Sequence, residues 1–125
     1  MARGFQDFEV KTYRVSLYQG KFENHKGTTF KYRGIIECDY EGKTGSGELC
    51  IVGLTEDSNV PEKMDLPAIF IPFNEMGIFL DMLRNEKPVY AHIDNNNPIN
   101  SFLSTSSEPI GEGEDETNIL RRLSR

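Results

Sequence analysis

Seven side chains near the amino end, Arg14, Tyr18, Lys21, Phe22, Lys26, Lys31 and Arg33, combine fixed positive charge with flat aromatic surface. That combination suits single-stranded nucleic acid, because cations follow the phosphates while rings stack on bases, each stack contributing about 1–3 kcal/mol. Residues 10–35 carry these five cations plus Lys11 against Glu23 alone. Residues 36–65 reverse the balance, with eight carboxylates against Lys43 and Lys63, and Glu108, Glu112, Glu114, Asp115 and Glu116 follow near the end. The net charge of −6 therefore conceals a basic segment. The ordinary alternative is that Lys and Arg solvate an outer face while Tyr18 and Phe22 pack under the amino-terminal residues or a partner protein.

Other constellations offer less chemistry. His25 falls in a turn and His92 in a strand, neither with a nucleophile or carboxylate at a catalytic spacing. Residues 42–47 contain Gly-Lys-Thr, yet the upstream glycine of a phosphate loop is missing and a strand follows instead of a helix. Asp57, Glu62 and Asp65 form an acidic loop without a calcium-binding pattern. A hairpin centred on Thr44 sets Cys38 directly opposite Cys50, so a redox-switched disulfide and two reduced, buried thiols are both open. No CxxC or Cys/His cluster suggests zinc. The expectation is a protein that is not an enzyme and needs no cofactor or metal.

The elements that must position the basic side chains are strands. Tyr13, Val15 and Leu17 alternate with polar residues over 9–23, and Phe30, Tyr32, Ile36, Cys38 and Tyr40 do so over 28–40. Turn chemistry at 24–27 joins them, and a register with Glu23 opposite Thr28 pairs Val15 with Ile36, Tyr13 with Cys38 and Leu17 with Gly34. The same register pairs Arg14 with Glu37, Tyr18 with Arg33, Gly20 with Lys31 and Phe22 with Thr29, so Tyr18, Phe22, Lys31 and Arg33 form one exposed patch. A third strand, 48–54, is apolar on both faces, as an internal strand should be. Residues 66–73 make a strand that Pro67 and Pro72 confine to an edge or a bulge.

Met76, Phe79, Leu80 and Leu83 fall at i, i+3, i+4 and i+7, with Ile78 and Met82 widening the stripe, which predicts a helix over 74–85. Asn74 is its expected N-cap, Pro88 stops its continuation, and Gly77 suggests close packing under a strand. Short strands at 88–94 and 101–106 flank the turn at 95–98. Residues 1–8 read as an arm and 9–106 as one β-rich domain. Residues 107–125 read as an acidic then basic tail without stable structure, although 117–125 has the pattern of a short helix and Ser124 follows Arg-Arg-Leu as in a basophilic kinase site.

The order of strands with one helix before the last two resembles the OB-fold barrel, which sets its helix between the third and fourth strands. The strand at 66–73 departs from that pattern. A basic barrel followed by an acidic carboxyl end is also similar to some single-stranded DNA-binding proteins, from which the final Arg121-Arg122-Leu123-Ser124-Arg125 departs.

The sequence thus predicts an α+β, mostly β chain, a small antiparallel sheet or OB-like barrel of five to six strands. Its expected function is a non-enzymatic module binding single-stranded nucleic acid. The alternative is a protein-interaction or assembly subunit using the same face, the acidic region 36–65 and the tail; a homo-oligomer fits either version. No apolar run is long enough for a membrane helix, residues 1–7 are unlike a signal peptide, and the expected compartment is the cytoplasm.

Overall fold

The computed structural model describes residues 5–25 and 27–105. Six strands, β1 (Phe5–His25), β2 (Thr28–Gly42), β3 (Gly45–Leu54), β4 (Ala68–Pro72), β5 (Val89–Asp94) and β6 (Phe102–Thr105), form one sheet in the order β4-β3-β2-β1-β5-β6. All neighbours run antiparallel except β3 and β4, whose parallel pairing is reached through the long connection 55–67. Among the described residues neither β4 nor β6 pairs on its outer side, so the sheet stays open and the barrel suggested by the OB resemblance does not form. β4 lies at an edge, where Pro72, which has no N–H to donate, costs no ladder bond. β3 is internal, between β2 and β4.

A 3-10 turn (Phe73–Glu75) leads into α1 (Met76–Asn85), which lies on one side of the sheet. Met76, Phe79, Leu80 and Leu83 pack with Phe8, Ile36, Cys38, Tyr40, Leu49, Ile51, Ala91 and Ile93 in one apolar core. Three expectations about this helix fail. Ile78 is 64 % exposed, off the buried stripe. Asn74 lies within the 3-10 turn; Glu75 is the N-cap of α1 and makes no side-chain cap. A methyl at Gly77 would meet nothing within 4 Å; the close approach is made instead at Gly34 and Gly53, where it would lie 2.7 and 2.5 Å from Met76 Sδ.

The opposite side of the sheet carries a second cluster, Phe30, Tyr32, Val52 and Leu54, with Tyr18, Ile35, Cys50 and Phe70 packed against it. β2 contributes to both sides because its alternation breaks at Arg33. Tyr32 opposes Leu54 and Gly34 opposes Gly53, so one residue of β2 has no counterpart in β3. Adjacent residues of β3 face opposite ways, hence Tyr32 and Gly34 do too.

β1 answers with its own irregularity at the same level. Leu17 opposes Gly34 and Lys21 opposes Tyr32, which sets Tyr18, Gln19 and Gly20 against Arg33 alone. Gly20 takes φ +140, a conformation L side chains rarely adopt. The predicted register therefore holds from Thr12 to Leu17 and then slips by two. Phe22 opposes Lys31, and His25, not Glu23, opposes Thr28. The expected pairs Tyr18–Arg33, Gly20–Lys31 and Phe22–Thr29 do not occur.

The expected arm at 1–8 is, from Phe5 onward, the start of β1. Phe5 to Glu9 pair with β5, and the buried ring of Phe8 lies 4.6 Å from that of Tyr40. The tail at 107–125, its short helix and Ser124 lie outside the described residues, as does Lys26.

Candidate functional site

The irregularity at 18–20 and 33 decides where the basic and aromatic side chains go. Arg14 projects on the side away from α1, where its Nε (3.1 Å) and Nη2 donate to Glu37 Oε1. That hydrogen bond, reinforced by the carboxylate's charge, raises the guanidinium's pKa further. Tyr18 lies on the same side, half-buried and edge-on to Tyr32 at 5.4 Å, and Lys21 Nζ lies 5.3 Å from its ring. Burial raises the Tyr32 hydroxyl above its ordinary value.

Phe22, Lys31 and Arg33 turn to the other side, that of α1. Phe22 is 63 % exposed with Lys31 Nζ 5.1 Å from its ring, and Arg33 Cζ lies 4.8 Å from the ring of Phe73, just before the helix. The predicted patch is therefore split: Arg14, Tyr18 and Lys21 on one side, Phe22, Lys31 and Arg33 on the other. The cations over the rings are not the obstacle to base stacking, since such contacts contribute about 0.5–1 kcal/mol at exposed sites and a stacked base more. The obstacle is that no single face holds all the rings.

The connection after β3 ties down the basic strand. Lys31 N–H donates to Ser58 Oγ (2.7 Å), its carbonyl accepts from Thr55 N–H (3.0 Å), and Asn59 Nδ2 donates to the Thr29 carbonyl (3.1 Å). Within this loop Thr55 Oγ1 donates to Asp57 Oδ1 (2.6 Å), which together with the nearby Lys31 charge holds the Asp57 carboxyl below the usual range. Among the described residues no three His, Cys, Asp or Glu side chains gather as a metal site requires. His92 stacks on Phe102 at 4.4 Å, with Nε2 2.6 Å from Ser104 Oγ.

Cys38 and Cys50 do not face each other. The β2–β3 turn is Lys43-Thr44, with Gly42 opposite Gly45, one position off a hairpin centred on Thr44. Cys38 consequently opposes Leu49 in the helix-side core, while Cys50 opposes Glu37 in the second cluster. Both thiols are free; burial pushes Cys38 up to about 12 and Cys50 up to about 11. A bridge between opposite faces of one sheet has no workable geometry.

One feature escaped the sequence reading. β5 covers β1 only from Phe5 to Glu9, so from Val10 to Asn24 β1 pairs with β2 alone and, among the described residues, its other edge is open. Val15 (38 %) and Leu17 (70 %) are exposed along that edge. Where the β5 row stops there is a cavity of about 250 Å³ lined by Val10, Lys11 and Tyr13 of β1, Leu83 and Glu86 at the end of α1, and Val89. The available signal was length, since a first strand of 21 residues cannot be matched by a β5 of six.

Compared with protein-family models, curated proteins and solved structures, the chain matches none. Among the described residues no helix is long and apolar enough to cross a membrane.

Proposed function

We propose that the protein is a non-enzymatic protein-interaction module that engages its partner through the first hairpin. One observation carries this reading: among the described residues β1 keeps an open edge beyond Glu9, with Val15 and Leu17 exposed on it. Unpaired strand edges invite pairing with another chain, and exposed apolar side chains along one strengthen the invitation. The compartment that fits is the cytoplasm, because two free thiols suit a reducing environment.

The test places a photo-reactive residue at Leu17 and, as a control, at Ile78, both exposed. Irradiation in the producing cell should give a discrete heavier protein adduct from position 17 and none from 78. Equal yields, or none from either, would remove the hairpin as the contact.

A second reading, binding of single-stranded nucleic acid, is favoured by Phe22, Lys31 and Arg33 sharing one side in a segment rich in cations. It predicts affinity for a fluorescent oligonucleotide that falls steeply with salt and collapses in Lys31→Glu combined with Arg33→Glu. Absence of binding at low salt would leave the interaction reading alone.

A further inference from the structure

We propose that the edge of β1 from Val10 to Leu17 accepts an extended peptide strand of alternating apolar and acidic residues, continuing the row that β5 begins. The proposal rests on the interaction reading and names the kind of partner.

Three features of this edge define the guest. First, among the described residues no strand pairs with β1 on this side beyond Glu9: Tyr90 opposes Glu9, and the chain before Val89 leaves the ladder toward α1, with Glu86 and Lys87 lining the cavity between. Second, the ladder with β2 is regular from Thr12 to Leu17, so alternate residues there turn N–H and C=O groups toward the open edge. Irregularities at Lys11 and at 18–20 bound this run, which sets the length of an incoming strand at about six residues. Third, the side chains along the run are two-sided. Tyr13, Val15 and Leu17 form an apolar row on the α1 side, and the cavity beneath its start adds Val10, Leu83 and Val89.

Charge selects among possible strands. Arg14 lies on the run, Lys11 at its start and Lys21 just past its end. Lys11 and Arg14 already contact Glu9 and Glu37, so the surplus lies toward Lys21, and the acidic end of the guest belongs there. A second copy is the poorer guest, because β1 from Val10 to Leu17 contains no carboxylate to offer. An apolar side chain seated in the cavity at the other end fixes the direction.

The experiment titrates the ¹⁵N-labelled full chain with the peptide acetyl-Leu-Thr-Val-Glu-Val-Glu-Val-Glu-amide. It is compared with the same peptide N-methylated at alternate residues and with a version carrying Lys for each Glu. Strand addition predicts amide shifts confined to residues 10–17 and the cavity around Leu83 and Val89. It also predicts a loss of at least about tenfold in affinity for both altered peptides, and the same loss for Val15→Ser combined with Leu17→Ser, at exposed positions that leave the fold intact. No shifts at about 1 mM peptide, shifts centred on Phe22 and Lys31, or equal affinity of the N-methylated form would each overturn it. A dimer of the free protein that V15S/L17S dissolves would overturn the choice of guest in favour of a second copy. Binding seen only when Glu112, Glu114, Asp115 and Glu116 are changed to amides would assign the edge to the chain's own acidic run. An adduct at Leu17 with indifference to N-methylation would sink strand addition and leave the interaction reading standing; no adduct would sink that reading itself.

Discussion

Gly34 of β2 and Gly53 of β3 lie opposite each other, and the space their missing side chains leave is filled by Met76. This seat fixes where the first turn of α1 meets the sheet. It lies next to Arg33, where β2 switches sides, so the helix and the twist of the hairpin are set at one level of the structure.

Adding one methyl to this seat should loosen the helix unequally. At Gly53 the new carbon meets Met76 Sδ and also the Phe73 Cα at 3.1 Å, which is backbone and cannot swing aside. At Gly34 it meets only the ends of the Met76 and Phe73 side chains. Gly53→Ala should cost about 1–3 kcal/mol in urea unfolding and Gly34→Ala less. Unchanged midpoints in both would mean that Met76 does not sit there.

Burial along α1 is tested by a pair of identical changes. Leu80 packs into the core while Ile78 is exposed. Leu80→Asp should lower stability by about 2–4 kcal/mol, or prevent folding, because it forces a carboxylate against apolar neighbours. Ile78→Asp should leave the melting temperature within a degree or two of the parent. Equal effects would show that the helix presents another face.

The thiols make stability depend on alkaline pH. Cys38 and Cys50 ionise at about 12 and about 11 in the fold, against an ordinary value near 9, with burial the leading cause. Above about pH 9 the unfolded chain loses these protons while the native one keeps them, so stability is full below that pH and falls as pH rises toward 11 and 12. Burial raises Tyr32 and Tyr40 as well, which extends the decline. Urea midpoints from pH 8 to pH 10.5 should drop, and drop less steeply in Cys38→Ala combined with Cys50→Ala. An oxidant should leave both thiols unbridged in the native protein, and a disulfide formed without unfolding would contradict the assigned faces.

Asp94 holds the turn between β5 and β6. Its Oδ1 accepts from the N–H groups of Asn96 and Asn97, both at 3.0 Å, while its own N–H donates to Ser101 Oγ at 3.1 Å, and both side chains are buried. Asp94→Ala strands two donors and should cost about 1–3 kcal/mol; Asp94→Asn retains an acceptor and should cost less. Equal thermal denaturation of the two variants would rule out this role.

What the sequence revealed follows from how local each signal is. The helix was legible because four apolar residues repeat within two turns, and the pairings from Thr12 to Leu17 because one side of that stretch is polar. The slip beyond Leu17 was hidden because β2 buries apolar residues against one cluster at Phe30 and Tyr32 and against the other from Ile36, so the alternation continues in residue type while its direction reverses. Gly20 was visible, but nothing in its neighbours marked it as the place where two residues loop out. The candidate patch shared that fate, since its unity depended on the lost register. The open edge of β1 was harder to place for another reason: strand length hinted at it, but where β5 stops along β1 depends on a pairing that no hairpin fixes.

The order of strands in the sheet also dictates how far apart along the chain its neighbours come. β1, β2 and β3 meet through tight turns and can zip together while the rest of the polypeptide is still unformed, whereas Phe5 must wait for Asp94, almost the whole described chain away. The seam between β1 and β5 is therefore the last to close and the first to part on a native excursion. Hydrogen exchange should find the amides of β5 and β6 trading with solvent before those of β2 and β3, and the reverse order would contradict this sequence of assembly.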